Sequence, residues 1–353
     1  MISGPIETLL EIISVIMMLL PMLLLLLFAN LAQRGREQNP EGNGGLGWTI
    51  TTHILVAISF SLLFIVGAVL TLFGLLTGSA SNGDLAGMSG VTANFIESMV
   101  PIGLGLTIPA LIGILLQIPI IRRGLMKPLP LDPSNAVHTF ALVATMIIWI
   151  NFFITMAIGL EALTNTDGAQ KNIIPSLWTQ QITFFIIALI GVGWLTRRNW
   201  REVCQRLGLV RPSGVQWVLG IVMGFGLVVF ANVLSYVATW LGFPLDPNVE
   251  QLTDQLLSPL FGSVLGILTL GLSAALGEEA LFRGAMQPRF GLLLTSVLFA
   301  FVHSNYGLSL STLVVFCVGL ALGLIRMRHN TSTAMIVHAT YNMTLGVLAS
   351  MAG

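Results

Sequence analysis

The chain has 353 residues, of which 55% are hydrophobic and only 8% are charged, and its formal net charge is zero. Soluble globular domains carry about 25% charged residues, so the composition excludes an ordinary soluble domain. The neutral balance gives no indication of a nucleic-acid partner. The two cysteines, Cys204 and Cys317, are far apart in the sequence, which argues against a disulfide framework or a thiolate zinc site.

Apolar runs of about twenty residues recur along the chain. A helix of that length crosses a hydrocarbon core of about 30 Å, and the alternating ten-residue segments of a membrane barrel do not occur. The first run follows an acidic flank, which predicts an uncleaved span and not a signal peptide. The sequence therefore predicts an all-α, polytopic integral membrane protein of about ten transmembrane helices. They are expected near 8–30, 50–77, 99–121, 136–160, 178–196, 215–241, 258–286, 290–306, 309–327 and 332–351.

The basic residues separate the two sides of this predicted topology. Because cytoplasmic loops are enriched in Lys and Arg, the distribution predicts a multi-pass protein of the cell membrane with both termini outside the cytoplasm. Only Lys171 falls on the extracytoplasmic side. The residues predicted on the cytoplasmic side are Arg34, Arg36, Arg122, Arg123, Lys127, Arg197, Arg198, Arg201, Arg206, Arg211, Arg283, Arg289, Arg326 and Arg328.

A basic loop over 196–213 is the best candidate for a domain boundary. It predicts an N-terminal membrane region, 1–198, of about five spans and without an assignable function. The C-terminal region, 199–353, has about five further spans and contains nearly all of the ionisable groups that lie inside apolar runs. Such groups cost roughly 2.5–3.5 kcal/mol each at the centre of a bilayer, so they indicate a functional site in this half.

Three polar motifs occur on successive predicted spans. They read G-E-E-A-L-F-R-G at 277–284, F-A-F-V-H at 299–303 and H-A-T-Y-N at 338–342. Counting the 1.5 Å rise per residue from the predicted cytoplasmic ends places the three motifs at a similar depth. The sequence therefore predicts one buried site, open toward the cytoplasmic side, to which three helices contribute.

Helical spacing separates the roles of these residues. Glu279 and Arg283 are four residues apart, which predicts an ion pair on one helix face. Glu278 lies about 100° around the helix from Glu279, so we expect it to face the site alone. His338 and Asn342 are also four apart and face one way.

These residues can support hydrolysis of an amide. A carboxylate removed from water holds a proton more tightly and becomes a usable base, so Glu278 can take a proton from water held against His303. His338 and Asn342 can donate hydrogen bonds to the oxyanion that develops. Metal chemistry stays open as an alternative, because Glu278, His303 and His338 could bind zinc with one open position, although the spacing lacks H-E-x-x-H.

The pattern E-E-x-x-x-R, F-x-x-x-H and H-x-x-x-N resembles the CPBP family, which comprises CAAX prenyl endopeptidases of the Ras-converting type and bacteriocin-processing or immunity relatives. The segment Arg206-Leu207-Gly208-Leu209 is similar to the entry of that family's core. The resemblance implies an intramembrane endopeptidase acting on a membrane-bound or lipid-modified, CAAX-like substrate through glutamate-activated water or a metal. The matching residues are Glu278, Glu279, Arg283, Phe299, His303, His338 and Asn342, with Phe299 expected as a wall of the cavity.

Two other classes of function stay open. One is a non-enzymatic membrane regulator or bacteriocin-immunity protein with the same fold, although a scaffold need not retain four polar groups. The other is a transporter that uses the acid as a proton relay, which would not need Asn342 four residues after His338. The expected partners are the lipid bilayer and a membrane-associated peptide or protein substrate.

Overall fold

The protein is described from a computed structural model, which covers residues 5–80, 90–164 and 173–352. These residues form helices and no named strand, which confirms the predicted all-α, polytopic fold. Lys171, predicted to lie on the side opposite to the other basic residues, is outside the described ranges. The orientation in the membrane therefore stays a prediction.

The N-terminal helices pack on one another through alanine, aliphatic and phenylalanine side chains. Val56 and Phe60 of the second helix belong to one buried cluster with Ala29 of the first and Phe140 of the fifth. The seventh helix adds Ile187 to the same cluster. The helices are α1 (Pro5–Gln38), α2 (Leu46–Ala80), α3 (Gly90–Leu115), α4 (Pro119–Met126), α5 (Ala136–Ile158), α6 (Leu160–Thr164) and α7 (Ile173–Gly191).

Several C-terminal helices begin at a serine N-cap, and one segment between them is π-helical. Ser213, Ser263 and Ser309 each cap the helix that follows by accepting a hydrogen bond from a backbone N–H, which satisfies an otherwise orphan donor. The elements are α8 (Trp200–Leu207), α9 (Gly214–Trp240), α10 (Pro247–Phe261), α11 (Val264–Glu278), a π-helical segment (Glu279–Met286), α12 (Gln287–Val302), a 3₁₀ turn (Ser304–Tyr306), α13 (Leu310–Arg328) and α14 (Thr331–Ala352).

Eight stretches of the described helices are long and apolar enough to cross a membrane, against about ten expected from the sequence. The predicted spans 258–286 and 290–306 fall in one stretch, Val264–Val302. Its 39 residues correspond to about 58 Å of helix, nearly twice the hydrocarbon thickness. Gly291 interrupts it with φ +74° and ψ 175°, a conformation that suits glycine. The predicted span 332–351 corresponds to α14, which is not among the eight.

Helix α11 contacts both α7 and α14, and α14 also contacts α9. Thus α7, which belongs to the predicted N-terminal region 1–198, packs directly on the helix that ends at Glu278. Residues of α7 and α8 share a buried cluster with Ala280 of the π-helical segment. The predicted division at residue 198 stays a prediction, but these contacts cross it.

Candidate active site

The two adjacent glutamates lie where the chain changes from α-helix to π-helix. Helix α11 ends at Glu278, and the π-helical segment begins at Glu279. A π-helical turn bonds i to i+5, is rare in proteins, and frequently occurs at functional sites. Both glutamates are buried, with Glu279 fully inaccessible and Glu278 8% exposed.

Glu279 is the centre of a buried charge network. Its Oε1 lies 3.1 Å from Nη1 of Arg283, so the predicted ion pair is present. The same oxygen lies 2.8 Å from Nδ1 of His338, a contact that the sequence did not predict. A carboxylate oxygen accepts, so Nδ1 of His338 carries the hydrogen. Glu279 therefore orients His338 as well as Arg283.

Arg283 is buried and does not lie in a loop between two spans. Its side chain is 1% exposed, its Cζ lies 4.0 Å from the centroid of the Phe299 ring, and its Nη2 donates to the carbonyl of Gly319 at 3.4 Å. Counting Arg283 among the loop charges was therefore wrong. Phe299 is more than a cavity wall, because its π face carries the guanidinium in a cation–π contact.

Phe299 also connects the two histidines. Its ring centroid lies 5.0 Å from that of His303 and 6.1 Å from that of His338, both edge-on. Nδ1 of His303 lies 2.8 Å from the carbonyl oxygen of Phe299, so this nitrogen also carries the hydrogen. In each neutral ring, Nε2 then has a free lone pair.

Glu278 is held by a residue of α7. Nε2 of Gln181 donates to Oε1 of Glu278 at 2.9 Å, and both side chains are buried. Oε2 of Glu278 is buried and has no hydrogen-bond partner. The carboxylate is thus oriented through one oxygen while the other is free to accept a proton.

Gly277 makes this contact between α11 and α7 achievable. A Cβ at Gly277 would lie 2.4 Å from the carbonyl oxygen of Gln181 and 2.8 Å from its Cα. Only glycine allows two helices to approach this closely, as small residues do at helix interfaces in membranes. Gly277 therefore sets the distance at which Gln181 reaches Glu278.

Asn342 is the predicted site residue with the least connection to the others. Its Nδ2 donates to the carbonyl of Leu270 at 3.3 Å. Leu270 precedes Glu278 by eight residues, or about 12 Å along the helix. His338 and Asn342 therefore contact different levels of the same neighbouring helix, and the role of Asn342 as an oxyanion donor stays a prediction.

Sequence reasoning missed Gln181 and Tyr306. The Tyr306 ring stacks on His303 with centroids 5.9 Å apart, and it lies within electrostatic range of Glu278. A signal for Gln181 was available, since it is a strong hydrogen-bonding group inside an apolar span. Its partner could not be inferred, because α7 lies almost one hundred residues from Glu278 in the chain.

The predicted zinc ligands do not form a metal centre in this structure. Among the described residues, no group of three His, Cys, Asp or Glu side chains is arranged to hold a metal ion. Glu278, His303 and His338 include suitable donor atoms, and histidine ligands commonly have Nδ1 held as it is here. The three side chains are not assembled as ligands, and zinc at this site stays a prediction.

The segment 206–209 fixes the start of α14. Gly208, with φ +72°, ends α8 in a left-handed cap. The carbonyl of Gly208 then accepts from the backbone N–H of Thr331 at 3.1 Å, and the carbonyl of Leu207 accepts from its hydroxyl at 2.5 Å. These bonds position the helix that supplies His338.

A family profile described as "Type II CAAX prenyl endopeptidase Rce1-like" matches residues 260–344. The chain is also 30% identical over 165 residues to an "Uncharacterized 24.3 kDa protein" of Escherichia coli, which is 44% of this chain and 73% of that protein. The chain belongs to the Rce1-like family. The resemblance to the CPBP family is thereby confirmed. No solved structure matches the chain.

The matched range of this Rce1-like chain includes all seven residues that the sequence singled out, from Glu278 to Asn342. Membership supports a function of the CAAX-type intramembrane protease kind, in a multi-pass membrane protein. The predicted protease class is confirmed to that extent.

Proposed function

We propose that the chain is an intramembrane endopeptidase in which Glu278 activates water to hydrolyse a peptide bond of a membrane-bound or lipid-modified peptide. The observation that supports this most directly is the state of Glu278. Its side chain is buried, Oε1 is held by Gln181, and Oε2 has no partner. A carboxylate oriented in this way is suited to general-base catalysis.

In the first step, an O–H bond of water breaks and its proton moves to Oε2 of Glu278. The water oxygen forms a bond to the peptide carbonyl carbon, and the carbonyl oxygen becomes an oxyanion. His303 can position the water by accepting its second O–H at the free Nε2, since Nδ1 is occupied by the Phe299 carbonyl. Collapse of the intermediate breaks the C–N bond, and Glu278 returns its proton to the leaving amine.

His338 stabilises the oxyanion in this proposal. Its Nδ1–H is held by Glu279, so it must donate from Nε2, which requires the protonated ring. Asn342 supplies a second donor through the N–H that does not contact Leu270. Arg283 holds the carboxylate of Glu279 in place.

We also propose that the site opens toward the cytoplasm and that both termini lie on the other side of the cell membrane. With Arg283 buried, thirteen of the fourteen basic residues assigned to cytoplasmic segments still support that orientation. Cysteine accessibility to a membrane-impermeant reagent in intact cells tests it. Labelling of a cysteine introduced at Arg211 from outside intact cells would contradict the orientation.

The reaction is tested by incubating purified wild type and Glu278→Gln with membrane-bound peptides, prenylated and unmodified, and analysing the products by mass spectrometry. General-base catalysis contributes roughly 10²–10⁴-fold, so we expect a loss of that size in cleavage rate. Glu250→Gln, which changes an exposed glutamate of α10, is the matched control and should cleave as wild type does.

Cleavage by Glu278→Gln at the wild-type rate would contradict the mechanism. If neither protein cleaves and the variant keeps its cellular phenotype, the non-enzymatic regulator is the better description. Elemental analysis of the purified protein tests zinc. One zinc per chain, lost in His303→Ala and in His338→Ala, would establish a metal centre, and its absence in active protein would exclude one.

A further inference from the structure

Five arginines near the ends of α7, α8, α13 and the π-helical segment form a group that the proposed reaction does not use. We call them the arginine cluster. Arg206 lies in α8, Arg289 follows the π-helical segment, Arg326 lies near the end of α13, and two more follow α7. The members are Arg197, Arg198, Arg206, Arg289 and Arg326, all of them half-buried.

Hydrogen bonds fix two of these guanidinium groups on the backbone of the π-helical segment. Nη1 of Arg206 donates to the carbonyl of Gly284 at 3.4 Å, and Nε of Arg326 donates to the neighbouring carbonyl of Arg283 at 3.1 Å. The guanidinium groups of Arg206 and Arg326 therefore bind the carbonyl oxygens of two consecutive residues. Arg197 and Arg198 both lie against Gly193.

The cluster has little compensating negative charge. Glu37 lies 2.8 Å from Arg197, but its side chain is 49% exposed. The charges that act most strongly on Arg206 are all positive, and they come from Arg289, Arg198, Arg326 and Arg197. Burial first, and then these neighbours, lower the pKa of Arg206 to about 10, so it stays protonated at neutral pH and repels the other cations.

Donor groups in the cluster also remain unused. Nε of Arg289 is buried and has no hydrogen-bond partner. A guanidinium has five N–H donors in a planar fork, which matches the oxygens of a phosphate group. A phosphate bound among these arginines would satisfy the free donors and offset the like-charge repulsion.

The role of basic residues in fixing the orientation of a membrane protein does not explain this arrangement. The positive-inside effect requires only charge in a loop, which exposed residues such as Arg201, Arg211 and Arg328 already provide. Half-buried arginines gathered on protein carbonyls go beyond that requirement. The candidate spans of α7 and α13 end at Gly191 and Arg328, so Arg197, Arg198 and Arg326 lie near the ends of apolar helices, where lipid headgroups are expected.

We propose that the arginine cluster is a binding site for a phosphate group, supplied by the headgroup of an anionic membrane lipid. Arg206, Arg289 and Arg326 are its central ligands. The site is independent of the proposed reaction, because it uses none of the residues assigned to it.

The test measures binding of phosphatidylglycerol to the full-length protein in neutral detergent by native mass spectrometry. Phosphatidylcholine and inorganic phosphate are the two comparison ligands. We compare Arg206→Gln/Arg289→Gln with Arg201→Gln/Arg328→Gln, which removes the same charge from exposed positions. A hydrogen bond to a charged group contributes about 1.5–3 kcal/mol, so the cluster variant should bind phosphatidylglycerol at least about 10-fold more weakly, and the control should change much less.

Arg289→Gln alone keeps the test valid if the double variant does not fold. Nε of Arg289 has no partner, so the single variant should melt at or above the wild-type temperature without lipid, because like-charge repulsion is relieved, and should gain less from added phosphatidylglycerol. Equal loss of binding in the cluster and control variants would overturn the site, as would wild-type binding in Arg289→Gln together with a lower melting temperature. Binding of inorganic phosphate as tight as that of the lipid would retain the phosphate site but identify a soluble ligand.

Discussion

The first two helices and the helices that contain the candidate site differ in how much of their surface is buried in the protein. In the most apolar 18-residue windows of α1 and α2, 11% and 17% of the residues are buried in the protein, whereas in that of the stretch Val264–Val302 the share is 56%. Lipid is as apolar as leucine, so an apolar helix gains little from burial against another. Burial is concentrated where polar groups need partners, which is where the chemistry is proposed.

Ion pairs show the same contrast. The pair between Glu37 and Arg197 is partly exposed, with 49% of the Glu37 side chain and 8% of the Arg197 side chain accessible, whereas the pair between Glu279 and Arg283 is inaccessible to solvent. Exposed pairs contribute about 0–1 kcal/mol, but removing one partner of a buried pair costs about 3–5 kcal/mol. The two regions should therefore respond very differently to the same chemical change.

The largest effect is expected from Glu279→Gln, which leaves Arg283 as an unpaired buried charge. The free energy of unfolding should fall by about 3–5 kcal/mol in a denaturant titration, while Glu37→Gln should lower it by less than about 1 kcal/mol. Glu279→Gln/Arg283→Met removes both charges and should be less destabilised than the single variant. Equal effects of Glu279→Gln and Glu37→Gln would contradict the contrast between the regions.

Gly277→Ala should be the next most damaging change, because its Cβ would overlap the backbone of Gln181. Overpacking costs typically about 1–3 kcal/mol, which a thermal melt would detect. Gly226→Ala in α9 is the control, since a Cβ there meets nothing within 4 Å. It should be neutral or stabilise by about 0.5–1 kcal/mol, as alanine is the better helix former. An equal loss of stability in Gly277→Ala and Gly226→Ala would show that α7 can move away from α11 without cost.

Gln181→Leu tests whether α7 takes part in the reaction. It leaves Oε1 of Glu278 without its donor, and such a loss is worth about 1–3 kcal/mol, which is roughly 5- to 150-fold in cleavage rate. The adjacent Gln180 is exposed. Gln180→Leu therefore removes the same amide group from a position outside the protein interior. The rate should fall only in the first variant. A wild-type rate in Gln181→Leu would confine the site to the C-terminal helices.

The smallest effect is expected in α2. Leu62 is 59% exposed, and lipid replaces protein as its neighbour. Leu62→Ala should change the free energy of unfolding by no more than a surface substitution does, within about 0.5 kcal/mol, as judged from a thermal melt. Leu298→Ala in α12, where the side chain is fully buried, should cost about 2–5 kcal/mol. Comparable losses at both positions would show that α2 is buried in an assembly of several chains.

Much of the fold could be predicted because the bilayer imposes its own length and polarity on the chain. Runs of apolar residues predicted an all-α, polytopic protein, and the four-residue spacing of Glu279 and Arg283 predicted an ion pair that is present. The count of about ten spans differs from the eight candidate stretches for two reasons. The predicted spans 258–286 and 290–306 form one stretch that bends at Gly291, and α14 is not among the eight.

The sequence by itself determined the class of the protein and the identity of the residues that can react, since composition and spacing along one helix are local properties. Only the tertiary structure decided which groups meet across helices: His338 with Glu279, Gln181 with Glu278, and the arginine cluster around the carbonyls of 283 and 284. Local periodicity shows which face of a helix is polar. It does not set the rotation and depth of one helix relative to another, which depend on close contacts such as that at Gly277.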